Sequence, residues 1–237
     1  MRGREYIGPD SRRVQEMFAG IAHRYDFLNH FLSASVDRYW RNAAVKKVRE
    51  LVGSSPALCL DECSGTGDLA IALDRRLDTQ LIASDFCHPM LVRGRTKTVG
   101  RKIRIVEADA LQLPFSSGSF DALTVAFGLR NLQDPFRGLE EMHRVLRVGG
   151  AVVILEFSKP VVPLLRFVFA FYFQHILPRL GAIISGDGKA YQYLPDSVTR
   201  FPAQKELAGM MRSCGFANVE YRNLSGGIAA LHWGRKL

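Results

Sequence analysis

Four acidic residues set against apolar runs carry the first chemical signal in this chain: Asp61 closes ALCLD, Asp85 closes QLIASD, Asp109 follows RIVEA, and Asp121 opens DALTVAF. The same spacing, 24 residues, separates Asp61 from Asp85 and Asp85 from Asp109. That is the length of one strand-helix-strand step, so carboxylates should collect along one edge of an α/β sheet. Between the first two lies the turn Ser64-Gly65-Thr66-Gly67-Asp68, whose glycines leave out the Cβ atoms that would keep a ligand off the backbone. The segment GTGDLA also fits the G-x-G-x-x-A pattern of a dinucleotide site, with Asp85 18 residues after Gly67. In such a site the glycines follow the strand at once. Here Asp61, Glu62, Cys63 and Ser64 intervene, and an acidic group would face the pyrophosphate. Carboxylates suit a ligand with a cationic ammonium and sulfonium and a neutral ribose, which describes S-adenosylmethionine. On that reading Gly65, Thr66 and Gly67 line the methionine portion, with Asp61 among the cofactor carboxylates. Asp85 takes the ribose hydroxyls through both oxygens, and Asp109 with the backbone of Ala110 meets the adenine edge. The competing roles are local ones: a helix N-cap or a solvated loop for Asp85 and Asp109, and the start of a strand for Asp121.

The elements that must position these residues are legible as periodicities. Residues 11 to 22 and 38 to 52 place apolar side chains at helical spacing (Val14, Met17, Phe18, Ile21; Trp40, Ala44, Val48, Leu51) and predict an N-terminal helical extension. From Ala57 the pattern turns to alternating strands and helices. Strands are predicted near 57 to 61, 80 to 84, 103 to 107, 121 to 126 and 150 to 156, and helices near 67 to 76, 88 to 98 and 135 to 147. Pro89 and Pro135 fit first helical turns, and Gly149-Gly150 is expected to close the helix before it as a C′ glycine. A last helix, 202 to 214, precedes runs 217 to 223 and 228 to 234, joined by Ser225-Gly226-Gly227 as in a hairpin. The sum is a seven-stranded, mostly parallel sheet with a terminal antiparallel pair.

At 237 residues and 47% hydrophobic content, one domain of ordinary size is expected: a helical cap over 1–54 and a core over 55–237, with a lid or substrate insert at 159–200. The start MRGREYIGPDSRR lacks the apolar region of a secretory signal, and no uncharged apolar run reaches 18 residues, so a cytoplasmic protein is expected. Cys59, Cys63, Cys87 and Cys214 form no CxxC pair and read as buried thiols, and the six histidines show no metal spacing; no metal is expected. The net charge of +9 is spread over several predicted helices, which argues for a basic surface, then for attraction to an anionic membrane, and against nucleic acid.

Longer stretches carry a specific resemblance. The segment YDFLNHFLSASVDRYW from Tyr25 and the segment RVLRVGGAVVILEFS, Arg144 to Ser158, resemble the two signatures of the ubiquinone/menaquinone biosynthesis C-methyltransferases, the UbiE/MenG family. LDECSGTGD, DALQLPF, AFGLRNLQD, AYQYLPDS and NLSGGIAALHWG extend the resemblance over essentially the whole chain. Leu28, Asp37 and Cys63 depart from the family's usual Met, His and Ala or Gly. The resemblance implies a class I, Rossmann-like S-adenosylmethionine-dependent methyltransferase acting on a ring carbon of a polyprenylated quinol. Demethylmenaquinol (2-polyprenyl-1,4-naphthoquinol) is the expected acceptor, and the methoxy-benzoquinol of ubiquinone synthesis is the alternative. An NAD-dependent reductase, an RNA methyltransferase and a non-catalytic quinone-synthesis subunit are the rivals from other classes. FGLRN should emerge on the ligand edge after the fourth strand, which makes Arg130 the candidate for the quinolate or a water base and Asn131 its orienting partner; an ion pair of Arg130 with Asp134 or Glu140 is the competing role. Tyr25 corresponds to the tyrosine that opens the family's first signature and is expected close to the pocket. Finally, VVPLLRFVFAFYFQHILPRLGAII, Val161 to Ile184, is too interrupted to span a bilayer. It is expected either in the core or as a wall of the quinol pocket touching the membrane surface, with Phe167, Phe169, Phe171, Tyr172 and Phe173 supplying apolar area.

Overall fold

The computed structural model describes residues 6–23, 25–26, 33, 35–53, 58–172 and 188–237. Its sheet runs β1 (Leu58–Glu62), β2 (Gln80–Asp85), β3 (Ile103–Glu107), β4 (Phe120–Ala126), β5 (Leu146–Phe157), β6 (Ala217–Leu224) and β7 (Ala229–Arg235). In space the order is β3-β2-β1-β4-β5-β7-β6, with β1 through β5 parallel and β7 antiparallel to both of its neighbours. The central strands are apolar over most of their length because both of their faces are covered, with the acidic residues of β1 at its carboxyl end. On one face lie α2 (Val36–Val52) and α3 (Asp68–Asp74), which bring Trp40, Ala44, Val48, Leu69 and Leu73 onto Cys59, Leu81, Ala83 and Leu155. On the other lie α5 (Pro135–Val145) and α8 (Gln204–Ser213), whose Leu139, Met142, Leu207 and Met211 pack on Leu60, Leu123, Val152 and Ile154. The helix α1 (Ser11–Ile21) starts at an Asp10 cap and reaches α4 (His88–Lys97) through a small cluster of Phe18, Ala22, Tyr25, Phe86, Cys87 and Met90.

Strand crossing order explains where the ligand edge falls. β1 sits between β2 and β4, so the chain leaves it toward one side first and the other later, and a crevice opens beyond the carboxyl ends at that switch point. Register then decides which side chains meet there. Asp61 lies opposite Thr124 on β4, while Glu62 lies opposite Ser84 on β2 and points to the other face. Asp121 proves structural, as read from sequence: its carboxylate accepts from the Leu58 amide at 2.7 Å and pairs with Arg147, fastening β4 to the foot of β1.

One expectation fails. Gly149-Gly150 does not close α5; that helix stops at Val145, and Leu146 is already extended, with ψ 139°. The glycines belong to β5, in a bulge of residues 147 to 150 that lies opposite the single step from Phe120 to Ala122 on β4. Gly149 takes φ 80°, and a Cβ on Gly150 would lie 2.8 Å from the carbonyl oxygen of Arg147. Of the aromatic stretch, α6 (Pro163–Phe171) is described, together with Tyr172, while His175 and Phe173 lie outside the described residues; α7 (Gly188–Arg200) follows. Among the described residues no helix is long and apolar enough to cross a membrane.

Candidate active site

At the switch point the backbone itself is shaped for close approach. Gly65 and Gly67 take φ 56° and 84°, conformations that a Cβ disfavours, and nothing but the edge of Tyr25 or Thr98 comes within 4 Å of where such a Cβ would stand. Cys63 and Phe127 adopt left-handed backbones without being glycine, φ 54° and 60°, each costing about 1–3 kcal/mol that surrounding contacts must offset. The two turns meet at Gly128, where an added Cβ would fall 2.3 Å from the Cβ of Cys63. The result is a cleft, open to solvent, bordered by Tyr25, Arg41, Asp61, Cys63, Ser64, Thr66, Asp68, Leu69, Ala126 and Phe127.

Asp61 is 1% exposed at the floor of this cleft. The Thr124 hydroxyl donates to its Oδ1 at 2.7 Å, and Oδ2 has no partner among the described residues. Burial pushes its carboxyl up to about 7, against the hydrogen bonds from Thr124 and the Ala70 amide and the charge of Arg41. An enclosed acceptor with one oxygen unpartnered among the described residues, beside a cradle without Cβ atoms, fits the ammonium end of S-adenosylmethionine; the hydroxyl of Ser64, likewise without a partner among the described residues, borders the same space. Asp85, at the end of β2, is also buried and raised by burial, and its oxygens accept amides of Gly65 and Cys87, each at 2.8 Å. It therefore ties the glycine turn to the start of α4, and each oxygen keeps a second lone pair for a ribose hydroxyl. The carbonyl of Asp85 accepts the Ala108 amide at 3.0 Å, which brings the Asp109-Ala110 corner alongside. Asp109 itself is exposed and closes a local turn, its Oδ1 accepting the Leu111 amide at 2.9 Å, while Ala110 is buried; neither borders the cleft.

Above the glycine turn runs a charged strap. Lys97 of α4 donates to Asp26 at 2.8 Å, to Asp68 at 2.5 Å and to Thr66 at 3.0 Å, and the Thr66 hydroxyl donates to Asp26. Arg41 pairs with Asp37 one turn back on α2 and stands 3.5 Å from Asp68. Arg41 and Phe127 escaped the sequence reading. The signal for Arg41 was an acid-base pair, Asp37 and Arg41, on the same stripe of the helix as Trp40, Ala44 and Val48, where a charge needs a partner or a ligand.

Arg130 and Asn131 lie behind the cleft wall. Arg130 is 5% exposed and pairs with Glu156 of β5 at 2.7 Å, in place of the expected Asp134 or Glu140. Its backbone amide also donates to Glu156, and its guanidinium lies over Phe157 at 5.3 Å. Asn131 accepts the Tyr193 hydroxyl at 2.8 Å and donates to the Phe127 carbonyl at 3.1 Å. Of the residues singled out from sequence, Tyr25, Asp61 and Thr66 thus border the cleft, Gly65, Gly67 and Asp85 shape its floor, and Asp109, Ala110, Arg130 and Asn131 stand behind or beside it.

Comparison with known proteins identifies the family. Residues 7–236 match the model of the ubiE/COQ5 methyltransferase family. The chain is 50% identical over 226 residues to a demethylmenaquinone methyltransferase of Deinococcus radiodurans, covering 94% of this chain and 92% of that one. It is 44% identical over 236 residues to the ubiquinone/menaquinone biosynthesis C-methyltransferase UbiE of Geobacter sp. strain M21, covering 97% and 99%. Among solved structures, the [4+2]-cyclase SpnF superposes with a TM-score of 0.71 over 99% of both chains at 16% identity, a likeness of fold alone.

Proposed function

The chain belongs to the ubiE/COQ5 methyltransferase family, and from that premise we propose that it methylates a ring carbon of demethylmenaquinol, a 2-polyprenyl-1,4-naphthoquinol, to give menaquinol. It is an S-adenosylmethionine-dependent methyltransferase. The cofactor, when bound, supplies a methyl group made electrophilic by a sulfonium. The acceptor's ring carbon would take that methyl, the sulfur keeping the bonding pair, and the proton the carbon loses would pass to water in the open cleft. Asp61 holds the ammonium end, Gly65, Thr66 and Gly67 let it approach the backbone, and Asp85 takes the ribose. Tyr25 closes the cleft from the cap. Arg41, paired with Asp37 and 3.5 Å from Asp68, is a cation that borders the cleft, and its charge lowers the Asp61 carboxyl.

The observation that carries the choice of naphthoquinol is the 50% identity, across nearly the whole length, to a protein named for demethylmenaquinone. A methyl-transfer assay offering the naphthoquinol and the methoxy-benzoquinol side by side tests it. Faster turnover of the naphthoquinol is expected; a preference for the benzoquinol would move the enzyme to ubiquinone synthesis.

The acceptor's tail belongs in a bilayer, and α6 supports a peripheral contact with it. Leu164 and Phe167 are 75% and 72% exposed, and Val161, Val162 and Phe171 are exposed with them. Phe169, by contrast, packs toward Val198 and Phe157. With the net charge of +9, such a face favours an anionic leaflet. Co-sedimentation with anionic vesicles should fall for Leu164→Ser with Phe167→Ser and in high salt; binding indifferent to both would leave α6 without a membrane role.

A further inference from the structure

Phe127 is held in a way that the cofactor does not require. Its left-handed backbone, φ 60°, is one that bulky residues adopt only where neighbours impose it. Two side chains converge on its carbonyl: Arg130 Nη1 donates at 2.5 Å and Asn131 Nδ2 at 3.1 Å. Each is braced from behind, Arg130 by Glu156 at 2.7 Å and Asn131 by the Tyr193 hydroxyl at 2.8 Å. The amide of Phe127 is fixed as well, to the Leu155 carbonyl at 2.8 Å. The ring so placed borders the cleft, with the Arg41 guanidinium 5.9 Å from its centre, and is backed by Phe157 at 4.6 Å and Trp40 at 6.0 Å. Arg130, enclosed and neutralised by Glu156, is poorly placed to meet an anion itself.

Carbon alkylation of an electron-rich ring takes place through the ring's face, so the acceptor has to be held flat as well as close. An aromatic surface with a fixed orientation does this, since offset stacking sets the plane of the partner. We infer that Phe127 is the wall against which the acceptor ring stacks, and that Arg130, Asn131, Glu156 and Tyr193 are positioning residues that act through it. The inference rests on the quinol reading above and adds to it a division of labour: Arg41 and Asp61 address charge, and the FGLRN turn addresses the orientation of the ring.

The test pairs binding with turnover. Binding of 2-methyl-1,4-naphthoquinone is read by quenching of Trp40 fluorescence in a Trp233→Phe background, and KM and kcat are measured with a chain-free naphthoquinol. Phe127→Leu should raise the quinone Kd and the quinol KM about tenfold, the size of one lost aromatic stacking contact, while S-adenosylmethionine affinity by calorimetry stays within about twofold. Phe127→Tyr, which keeps the ring, should recover most of that loss. Tyr193→Phe removes one hydroxyl and no ring, so it should fold even if Phe127→Leu does not; a severalfold rise in KM is expected, and in the Phe127→Leu background no further rise. Unchanged quinone Kd in Phe127→Leu, unchanged KM in Tyr193→Phe, or effects that multiply in the double variant would each overturn the inference. If the native enzyme prefers methoxy-benzoquinol, the same series on that ring decides the wall, and only the choice of acceptor falls.

Discussion

Glu62 is an ionisable group enclosed within the sheet, and its removal gives a quantitative prediction. It is fully enclosed on β1, hydrogen bonded by Ser84 across the register, with Oε1 unpartnered among the described residues. Burial pushes its carboxyl from 4.5 up to about 8; the Ser84 hydroxyl and the Cys63 amide oppose the shift, while the charges of Asp85 and Asp61 add to it. A folded pKa above the unfolded one means that, between about 4.5 and 8, the native state holds a proton that the unfolded chain has released. Stability therefore falls as pH rises through that window and levels off above it. At about 1.4 kcal/mol per unit the full loss approaches about 5 kcal/mol. Glu62→Gln keeps the shape and cannot ionise, but it leaves an amide N–H at the unpartnered position, costing about 1–3 kcal/mol. The variant should thus be more stable than its parent by about 2–4 kcal/mol above pH 8 and no more stable at pH 4.5. Urea unfolding by circular dichroism at pH 4.5, 6.5 and 8.5, at unchanged m-value, reads this directly. Parallel stability curves for parent and variant would refute the reasoning, because they would mean that Glu62 titrates in the fold as it does in the open chain.

Asp61, held at about 7 by burial, must be ionised to face an ammonium, so cofactor affinity should rise from pH 6 to pH 8 with release of up to one proton. Calorimetry in two buffers of different ionisation heat counts that proton, Asp61→Asn should flatten the profile, and a pH-independent parent would contradict the assignment. Asp85→Ala should weaken S-adenosylmethionine by about 1.5–3 kcal/mol and also loosen the Gly65 turn; unchanged affinity would remove Asp85 from the ribose. Lys97→Met cuts the strap between the Asp26 cap and the glycine turn, so cofactor release in stopped flow should quicken severalfold, and the salt dependence of release seen in the parent should shrink. Release rates indifferent to both the substitution and salt would leave Lys97 as a surface cation.

What the sequence disclosed, and what it hid, divides along physical lines. Strands covered on both faces read as apolar runs, so β1, β2 and β4 were placed to within a residue and the edge strand β3 was placed as well, whereas β5 begins at Leu146, four residues before the expected start; the terminal pair followed from Ser225-Gly226-Gly227. Asp61, Thr66 and the glycines were found because chain proximity and the residue types required for close approach coincide there. The partner of Arg130 was not legible: Glu156 lies 26 residues away and becomes adjacent only because β4 pairs with β5, whereas Asp134 and Glu140 are near in sequence alone. Phe127 was hidden for a different reason. A left-handed turn is usually announced by glycine or asparagine, and here it is imposed on a phenylalanine by Arg130 and Asn131 of its own turn, which Glu156 and Tyr193 brace from β5 and α7. Gly149-Gly150 misled because the same residue type serves a helix end and a bulged strand, and only pairing with β4 tells them apart.

The position of β7 bears on how the protein comes into being at the ribosome. It is the last of the strands to be synthesised, yet it occupies an interior place in the sheet, between β5 and β6. Until residues 229–235 exist, the outer edge of β5, from Ala151 to Phe157, has nothing to pair with. Translation from Phe157 to Arg235 at 5–20 residues per second leaves that edge bare for roughly 4–16 s. A long, apolar, unpaired edge is the template on which chains join one another. The nascent protein is therefore most vulnerable to aggregation in this interval, and slow codons in the stretch encoding β6 and β7 should lower soluble yield without altering the finished enzyme.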